Sequence, residues 1–330
     1  MTDHTLYFTG ECAVEHRPVE VGDPDPDEVV VESRLSAISA GTELLVYRGE
    51  VPEDIPIDEG LSAFDGSFSF PVPYGYAVVG EVVDVGEAVG ADWLGRRVFA
   101  FEPHRTRFRV SPGSLVAIPD GVSATEAALL PTVETATNLT LDAAPRLGER
   151  VVVFGAGVVG LWTIRLLSGF PLERLVAVEP IAGRRRLAER MGADAAIPPE
   201  AAAERVDDAD LAVELSGSPA ALDGAIASVG YDGRVVVGSW YGTKGAPVDL
   251  GGRFHRDRID VVSSQVSTID PALRGRWDAD RRLGVALDWL ERVDAEALVS
   301  HRIPFEDAAT AYELLADRPE EALQVLLTYE

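Results

Sequence analysis

The chain has 330 residues, 46% of them hydrophobic, which is enough material for two folded domains rather than one. Its formal net charge of -26 opposes binding to nucleic-acid phosphates and to anionic membrane surfaces, so we expect neither as a partner. The single cysteine, Cys12, excludes internal disulfides and any structural zinc site built from several cysteines.

Hydropathy and the first residues of the chain predict a soluble, cytoplasmic protein. Residues 1–5 lack the basic start and apolar stretch of a signal peptide, and no apolar run reaches the ~20 residues of a membrane span. Acidic residues are spread along the chain, which favours a halophilic surface adapted to high salt. The alternative is an ordinary acidic protein from a GC-rich genome, since Lys244 is the only lysine among 29 basic residues.

Residues 1 to about 120 have the pattern of a β-rich domain. Short apolar runs, such as residues 28–32 and 80–85, alternate with turn-forming stretches rich in Gly, Pro and Asp at the spacing of a sandwich or barrel. Residues 50–73 are rich in Pro, Asp, Gly and Ser. We expect them to form a long surface loop that covers or lines a pocket.

The most informative segment is a strand-like apolar run followed by a glycine-rich turn. Gly155, Gly157 and Gly160 have the spacing G-x-G-x-x-G, and the residues after Gly157 have a helical pattern. In such a turn the glycines allow the bend, the approach of a pyrophosphate and close packing of helix on strand. The N–H groups at the helix start, where Val158 and Val159 lie, would face the phosphates. Packing alone is the alternative explanation for these glycines.

A second strand and an acid support nucleotide binding. Residues 175–178 form another apolar run, and Glu179 follows it, 24 residues after Gly155. A carboxylate at this position can accept both ribose hydroxyls of an adenosine, although an exposed strand end is the alternative for Glu179. Strand, glycines, helix, strand and acid in this order predict a dinucleotide site.

Strands and helices continue to alternate up to about residue 268. Four further strand-like runs complete a predicted six-stranded, doubly wound parallel sheet: residues 195–197, 210–215, 234–237 and 259–264. Ser216, Gly217, Ser239 and Trp240 follow strands of this sheet, so we expect them at the cofactor site. The tail is mostly helical and ends in a strand-like run, 323–329, that we expect to return to the first domain.

Together these segments resemble the medium-chain dehydrogenase/reductase superfamily, whose members pair a GroES-like catalytic domain with a Rossmann domain. The motifs that carry the resemblance span nearly the whole chain: SAGTE at 39–43, PYGYAVVGE at 73–81, GRRVF at 95–99, VAIPDG at 116–121, GAGVVG at 155–160, SGSP at 216–219 and SHRIPFED at 300–307. The Gly-Thr-Glu triplet and the aromatic residue after Gly75 are most similar to the bacteriochlorophyllide dehydrogenase-like branch.

The resemblance implies an α/β fold with two domains. Residues 124–268 would form a Rossmann domain with a doubly wound parallel sheet. Residues 1–123 and 269–330 would form the GroES-like β-barrel catalytic domain. It also implies a homodimer formed through the edge strand at residues 259–264.

Departures from the zinc-dependent members predict that this chain holds no metal. Ala40 stands where those members carry a ligating Cys, and Tyr76 and Ala77 stand where they carry the His and Glu of a Gly-His-Glu motif. The cysteine-rich lobe of a structural zinc is missing. Glu134, near the place of the remaining ligand, cannot hold zinc alone because a catalytic site needs about three protein ligands.

Without zinc, hydrogen-bond donors must polarise the substrate oxygen and supply a proton. By resemblance, Thr42 matches the hydroxyl residue that relays a proton, with a turn-capping threonine as the alternative. Tyr76 could donate to a carbonyl, stack on a planar substrate, or fill the vacated metal site as packing.

Three ionisable residues are further catalytic candidates. Glu43 matches a supporting acid of the relatives and could also act as a base. His104 lies where the zinc lobe would begin and is either an acid/base group or a structural histidine. Glu134 is either a general base, if burial raises its pKa, or a helix residue that caps or pairs.

The choice between NAD and NADP depends on charges near the adenosine ribose. Glu179 would repel a 2′-phosphate and therefore favours NAD. Arg184 and Arg185 could instead bind that phosphate, which leaves NADP as the alternative. We expect Lys244 to be an ordinary loop charge.

The sequence therefore predicts a zinc-independent NAD(P)-dependent oxidoreductase that transfers a hydride between nicotinamide and an alcohol/carbonyl substrate. One alternative is reduction of an activated C=C bond, as in the enone and quinone reductases of the same superfamily. Another is a nucleotide-binding protein that has lost catalysis and serves as a sensor or scaffold. The expected partner is a small-molecule substrate.

Overall fold

A computed structural model describes residues 2–52, 55–57 and 66–330 of the chain. Its strands are β1 (Asp3–Gly10), β2 (Ala13–Val19), β3 (Val29–Ala37), β4 (Val72–Pro73), β5 (Val78–Val85), β6 (Arg97–Ala100), β7 (Arg107–Val110), β8 (Leu115–Ala117), β9 (Arg150–Phe154), β10 (Arg174–Val178), β11 (Ala195–Ile197), β12 (Ala209–Glu214), β13 (Val229–Val237), β14 (Asp260–Ser263), β15 (Val299–Pro304) and β16 (Gln324–Thr328). Its α-helices are α1 (Ala40–Tyr47), α2 (Ala124–Ala128), α3 (Leu130–Ala143), α4 (Val158–Leu167), α5 (Ala182–Arg190), α6 (Ala202–Arg205), α7 (Pro219–Ser228), α8 (Ala279–Leu290) and α9 (Ala308–Asp317).

Two compact units divide the chain. Residues 1–131 and 287–330 form the first unit, and residues 132–286 form the second. Both boundaries lie later in the chain than the sequence analysis placed them. The start of α8 belongs to the second unit because Arg282 on α8 is hydrogen-bonded to two side chains of α3.

The second unit contains a doubly wound parallel sheet. Its strand order is β11-β10-β9-β12-β13-β14, and every neighbouring pair is parallel. Strand β9 reads Arg-Val-Val-Val-Phe and is buried along its last four residues, as expected for a strand covered on both faces. The order reverses between β9 and β12, and sheets of this type bind ligands at the carboxyl ends of the strands next to such a reversal. The predicted Rossmann fold is confirmed.

The first unit is built mainly from antiparallel sheets. One has the order β2-β1-β4, and a seven-stranded sheet has the order β15-β16-β3-β5-β6-β8 with β7 paired to β3. The last strand, β16, pairs with β3, so the tail returns to the N-terminal part of the chain as predicted. Phe8, Tyr47, Phe305 and Tyr312 lie in the core that this unit forms around α1 and α9. This unit matches the β-rich domain that the sequence pattern predicts.

The sequence analysis missed a helix within the β-rich first 120 residues. Residues 40–47, which carry the Gly-Thr-Glu triplet, form α1 instead of a strand or turn. Ser39 precedes this helix, and its carbonyl accepts hydrogen bonds from the N–H groups of Thr42 and Glu43. The helix places Ser39 and the triplet at one end of α1.

The predicted surface loop at residues 50–73 is described only in part. Residues 53–54 and 58–65 lie outside the described residues. At the end of the predicted loop, Val72 and Pro73 form β4 and pair with β1, so this end is part of a sheet. Across the described parts of the chain, no helix is both long enough and apolar enough to cross a bilayer. The cytoplasmic location and the adaptation to high salt stay predictions.

Candidate active site

The glycine-rich turn after β9 has the geometry of a phosphate-binding turn. Gly155 has a φ of +95°, and a Cβ on it would lie 2.7 Å from the Cα of Ser216. A Cβ on Gly160 would lie 2.0 Å from the carbonyl oxygen of Gly155. Gly157, by contrast, has no neighbouring atom within 4 Å of the Cβ position, so packing within the protein does not require glycine there. The packing explanation therefore covers Gly155 and Gly160 but leaves Gly157 open to an approaching ligand.

Helix α4 begins at this turn with an N-terminus suited to an anion. Gly157 is its N-cap residue and offers no side-chain cap, and Val158 and Val159 form the first turn. Uncapped N–H groups and the helix dipole together attract phosphate. The turn and α4 thus fit the pyrophosphate of a dinucleotide.

Glu179 lies at the end of β10 with its carboxylate directed at backbone N–H groups. One oxygen accepts from the N–H of Ala156 at 2.8 Å, and the other accepts from the N–H of Ile181 at 2.9 Å. The residue is only 3% exposed. Each carboxylate oxygen retains a further lone pair, so ribose hydroxyls can still be accepted. Glu179 therefore also fixes the glycine-rich turn, a role that the sequence analysis did not foresee.

The two arginines after Glu179 differ in their surroundings. Arg185 donates to the backbone carbonyls of Glu179 and Pro180, at 2.8 and 2.7 Å, which holds it at the end of β10. Burial lowers the pKa of Arg184, and the Glu179 carboxylate acts in the opposite direction. Both arginines lie on the chain segment that would flank the adenosine ribose.

A buried acid organises the ends of β12 and β13. Glu214 has no exposed surface, and its carboxylate accepts from the Tyr241 hydroxyl at 2.5 Å, from the Ser216 N–H at 2.8 Å and from the Ser216 hydroxyl. The hydroxyl of Ser239 accepts from the N–H of Gly217 at 2.9 Å. Ser216, Gly217 and Ser239, all predicted cofactor residues, are thus brought together. Trp240 is 36% exposed beside them.

Three hydroxyl side chains meet at the start of α1, and we call Ser39, Thr42 and Tyr76 the hydroxyl cluster. The Tyr76 hydroxyl donates to the Ser39 hydroxyl and, at 3.4 Å, to the Thr42 hydroxyl. All three residues are partly buried. Burial raises the pKa of the Tyr76 phenol, so the phenol is protonated at neutral pH and can donate a proton or a hydrogen bond. Thr42 lies in the first turn of α1, so the turn-capping alternative does not describe it.

Behind this cluster lie Glu43 and His104, both with no exposed surface. The Glu43 carboxylate accepts from the Ser39 N–H at 2.7 Å and contacts the His104 Nε2 at 3.0 Å. Direct acid/base roles for Glu43 and His104 stay predictions, and the structure gives them no support because neither side chain has surface open to a substrate. The supporting role for Glu43 and the structural alternative for His104 fit the structure.

Glu134 on α3 is paired rather than free. Its Oε1 accepts from Arg282 Nε at 3.1 Å and from an Arg282 terminal nitrogen at 2.9 Å, with side-chain exposures of 10% and 5%. Arg282 also donates to Asn138 at 2.8 Å. Burial raises the pKa of Glu134 and the guanidinium lowers it. The pairing alternative therefore fits Glu134, whose Oε1 is held by Arg282, and the general-base role stays a prediction.

Comparison with known proteins shows which proteins this chain resembles. The family model described as zinc-binding dehydrogenase matches residues 158–279. Sorbitol dehydrogenase 1 of Saccharomyces cerevisiae is 25% identical over 93% of this chain and 92% of its own length. The (R,R)-butanediol dehydrogenase of Bacillus subtilis is 28% identical over 72% of this chain and 77% of its own.

A solved structure agrees with the fold. It is described as a short chain alcohol dehydrogenase from Escherichia coli CFT073 complexed with cofactor NADH. Its TM-score to this structure is 0.78 and its sequence identity is 20%, and the match covers 99% of this chain and 100% of the other chain. The chain belongs to the medium-chain dehydrogenase/reductase superfamily. It is accordingly an NAD(P)-dependent oxidoreductase. The bacteriochlorophyllide dehydrogenase-like branch stays a prediction.

The resemblance assigns the zinc-ligand positions of this medium-chain dehydrogenase/reductase to Ala40, Tyr76, Ala77 and Glu134. Ala40 and Ala77 offer no donor atom, Tyr76 carries a protonated phenol, and Glu134 is held by Arg282. Over the described ranges, no group of three or more His, Cys, Asp or Glu side chains could hold a metal ion. A catalytic zinc site needs about three protein ligands, and the zinc independence of this chain stays a prediction.

Sequence reasoning missed two residues of this medium-chain dehydrogenase/reductase. Glu214 was hidden inside an apolar strand, and Ser39 was noted only as part of a motif. An acid in a buried strand next to Ser-Gly-Ser was the available signal for Glu214, because an ionised carboxylate in such a strand needs hydrogen-bond donors nearby. Nothing in the sequence marked Ser39 as the partner of Tyr76.

The Glu134–Arg282 pair gives a prediction on stability. Arg282→Met leaves a buried carboxylate without its cation, so we expect the free energy of unfolding at pH 8 to fall by about 3–5 kcal/mol. Loss of the guanidinium raises the pKa of Glu134 further. The folded state then binds a proton more readily than the unfolded state, so the deficit should shrink as the pH falls toward 5.

Urea unfolding at pH 8 and pH 5 measures this effect. Arg190→Met, at an exposed position at the end of α5 in the same unit, is the control and should change the free energy by less than about 0.5 kcal/mol. A deficit for Arg282→Met below about 1 kcal/mol at pH 8 would show that the pair is not the buried ion pair described above.

Proposed function

We propose that the protein is a zinc-independent, NAD-dependent dehydrogenase that interconverts an alcohol and the corresponding carbonyl compound. The single observation that carries the proposal is the hydroxyl cluster. A protonated phenol at position 76, where zinc-dependent relatives carry a ligand, is a donor that can act on a substrate oxygen.

The glycine-rich turn, α4 and Glu179 support binding of the nucleotide by the second unit. Gly157 leaves space for a pyrophosphate, and the first N–H groups of α4 carry no side-chain cap. Glu179 has lone pairs for the adenosine ribose and a charge that opposes a 2′-phosphate, which favours NAD over NADP. When bound, nicotinamide supplies or accepts the hydride.

The first unit manages the proton that must accompany the hydride. In carbonyl reduction, the Tyr76 O–H bond breaks and a proton is transferred to the substrate oxygen, and in alcohol oxidation the proton returns to the phenolate. The hydroxyls of Ser39 and Thr42 hydrogen-bond to Tyr76 and can stabilise the phenolate while it exists. A positioned general acid of this kind contributes roughly 10²–10⁴-fold to a rate.

Relatives suggest where to search for the substrate. The names sorbitol dehydrogenase and butanediol dehydrogenase describe proteins that act on polyols. A substrate panel should therefore begin with polyols and their ketones and then extend to larger carbonyl compounds and enones. We include larger compounds because residues 50–73 are predicted to form a long loop that covers or lines a pocket.

The test combines metal analysis with product analysis. We expect well under one zinc per chain after purification, no loss of activity on incubation with a strong chelator, and alcohol or carbonyl products with NADH or NAD. Products reduced at a C=C bond would support the enone reductase alternative instead. Tight NADH binding without turnover on the whole panel would support a sensor or scaffold, and one tightly held zinc per chain would overturn the zinc-free mechanism.

A homodimer also stays a proposal. Strand β14 lies at the edge of the parallel sheet, and its Val261 and Val262 are 38% and 45% exposed. An apolar edge strand of this kind can pair with a second copy. Light scattering after size-exclusion chromatography would distinguish a dimer from a monomer.

A further inference from the structure

A buried polar cluster lies directly behind the hydroxyl cluster in the first unit. Glu43, at its centre, accepts from the Tyr312 hydroxyl at 2.5 Å and from the Ser39 N–H at 2.7 Å, and lies 3.0 Å from the His104 Nε2. The His104 Nε2 lies within hydrogen-bonding distance of this carboxylate and donates to it in the tautomer that carries the proton on Nε2. We call Glu43, His104 and Tyr312 the buried cluster.

His104 has two further contacts in this region. Its Nδ1 lies 2.7 Å from the Ser36 hydroxyl on β3, and its backbone N–H donates to the carbonyl of Tyr74 at 3.2 Å. The imidazole ring lies against Gly75, where a Cβ would come within 2.4 Å of the Cδ2 and Nε2 atoms. Gly75 also has a φ of +101°, a conformation that side-chain-bearing residues rarely adopt. Only glycine therefore lets the ring pack on the backbone directly before Tyr76.

The buried cluster consequently touches both chain segments that supply the hydroxyl cluster. Glu43 holds the N–H of Ser39 and lies on α1 next to Thr42. His104 packs on Gly75, the residue before Tyr76. The two segments are joined through the hydrogen bond between Glu43 and His104.

We propose that Glu43 and His104 are positioning residues, which hold Tyr76 within hydrogen-bonding distance of Ser39 and Thr42. The proposal rests on the proposed function of the hydroxyl cluster and adds which residues keep it assembled. Neither residue touches a substrate, because neither has exposed surface. Their effect is on distance, and displacement of a reacting group by about 1 Å can cost 10²-fold in rate.

Glu43 also acts on Tyr76 through its charge. Burial raises the pKa of Tyr76 most strongly, the hydrogen bonds with Ser39 and Thr42 lower it, and the Glu43 carboxylate raises it. The other ionisable groups near this pair include the phenol of Tyr74, in an edge-to-face contact with Tyr76, and His104 and Tyr312 behind Glu43. Tyr329, hydrogen-bonded to Ser36, also interacts with the Glu43 carboxylate; burial raises the pKa of its phenol most strongly, and this carboxylate raises it further. Glu43→Gln keeps a side chain of the same shape but removes the charge. The pKa of Tyr76 should then fall, a change that a purely structural role for Glu43 would not predict.

The experiment uses the full chain and readouts that do not require turnover. His104→Ala removes the ring, whereas His104→Gln places an amide N–H where Nε2 lies. Hydrogen exchange in peptides covering residues 38–44 and 72–77 reports the two segments. Absorbance titration of phenols, with Tyr76→Phe as the reference, reports the ionisation of Tyr76. His16→Ala is the matched control, because His16 is a hydrogen-bonded histidine of the same unit that bonds to Phe305 instead.

For His104→Ala we expect exchange at least ~10-fold faster in both segments, kcat lower by ~10–100-fold and the Kd of NADH changed less than twofold. His104→Gln should recover most of kcat, and His16→Ala should leave all readouts unchanged. For Glu43→Gln we expect Tyr76 to ionise at a lower pH than in the wild type, and we expect kcat to begin its alkaline decline at a correspondingly lower pH.

Two results would overturn the proposal. One is unchanged exchange in both segments for the alanine and glutamine variants of His104. The other is an unshifted ionisation of Tyr76 in Glu43→Gln, which still applies if His104→Ala fails to fold. Absence of hydride transfer in the wild-type protein would refute the proposed function alone, since exchange and titration would still report on the buried cluster.

Discussion

Tyr76→Phe is expected to reduce kcat for carbonyl reduction by about 10²–10⁴-fold while the Kd of NADH stays within twofold. Phenylalanine keeps the ring that packs edge-to-face with Tyr74 but removes the hydroxyl that donates to Ser39 and Thr42. The loss is therefore that of a general acid rather than of packing or cofactor binding. Steady-state kinetics and NADH fluorescence titration measure the two quantities separately.

The pH dependence follows from the same phenol. Burial raises the pKa of Tyr76 above its ordinary value near 10, so the wild-type enzyme should keep a protonated donor through the physiological range and lose carbonyl reduction only at strongly alkaline pH. The alkaline limb should be absent from the residual activity of Tyr76→Phe. Tyr7→Phe, on β1 of the same unit, is the control and should keep wild-type rates. If Tyr76→Phe also keeps them, another group supplies the proton.

Glu179→Gln is expected to change cofactor preference from NADH toward NADPH. At an effective dielectric constant near 20, like unit charges about 5 Å apart repel by about 3 kcal/mol, and this repulsion disappears with the carboxylate. We expect NADPH to bind at least ~10-fold more tightly than to the wild type. NADH should bind ~10-fold more weakly, because charge-assisted hydrogen bonds to the ribose are lost.

Fluorescence titration with both reduced cofactors measures this change without a substrate. Part of the NADH loss will come from the glycine-rich turn, since the carboxylate also holds the N–H groups of Ala156 and Ile181. Thermal unfolding of the variant quantifies that contribution. Glu189→Gln, an exposed acid on α5, is the control for net charge. Tighter binding of NADPH than of NADH by the wild-type protein would refute the preference for NAD.

Features determined by local sterics were predictable from the sequence. The glycines of the turn after β9 are needed where a Cβ would collide with backbone, and the order of strand, turn, helix, strand and acid leaves few topologies open. The parallel strands were recognisable because strands buried on both faces are continuous runs of Val, Leu and Ile. These same constraints allowed the second unit to be predicted almost strand by strand.

Contacts between residues distant in the chain were not predictable. His104 meets Glu43 across 61 positions, and Arg282 meets Glu134 across 148. Local patterns carry no signal for either pair, so the sequence left the roles of Glu43, His104 and Glu134 open and did not mark Arg282. Helix α1 was missed for a related reason: it has only eight residues, half of them buried, which is too short a stretch to show a clear helical period. The sequence thus identified candidate site residues more reliably than it identified the residues that hydrogen-bond to them.

The pairing of β16 with β3 has a consequence for synthesis on the ribosome. The second unit, Thr132–Ala286, is continuous in the chain and can finish folding while translation continues. The first unit lacks β15, β16 and Tyr312, the hydroxyl donor to Glu43, until its last residues emerge. Translation at about 5–20 residues per second needs roughly 2–9 seconds for the 44 residues 287–330. During that time the edge of β3 that later pairs with β16 is unpaired. A nascent chain stalled in this interval should offer chaperones and proteases an incomplete N-terminal domain beside a finished nucleotide-binding one.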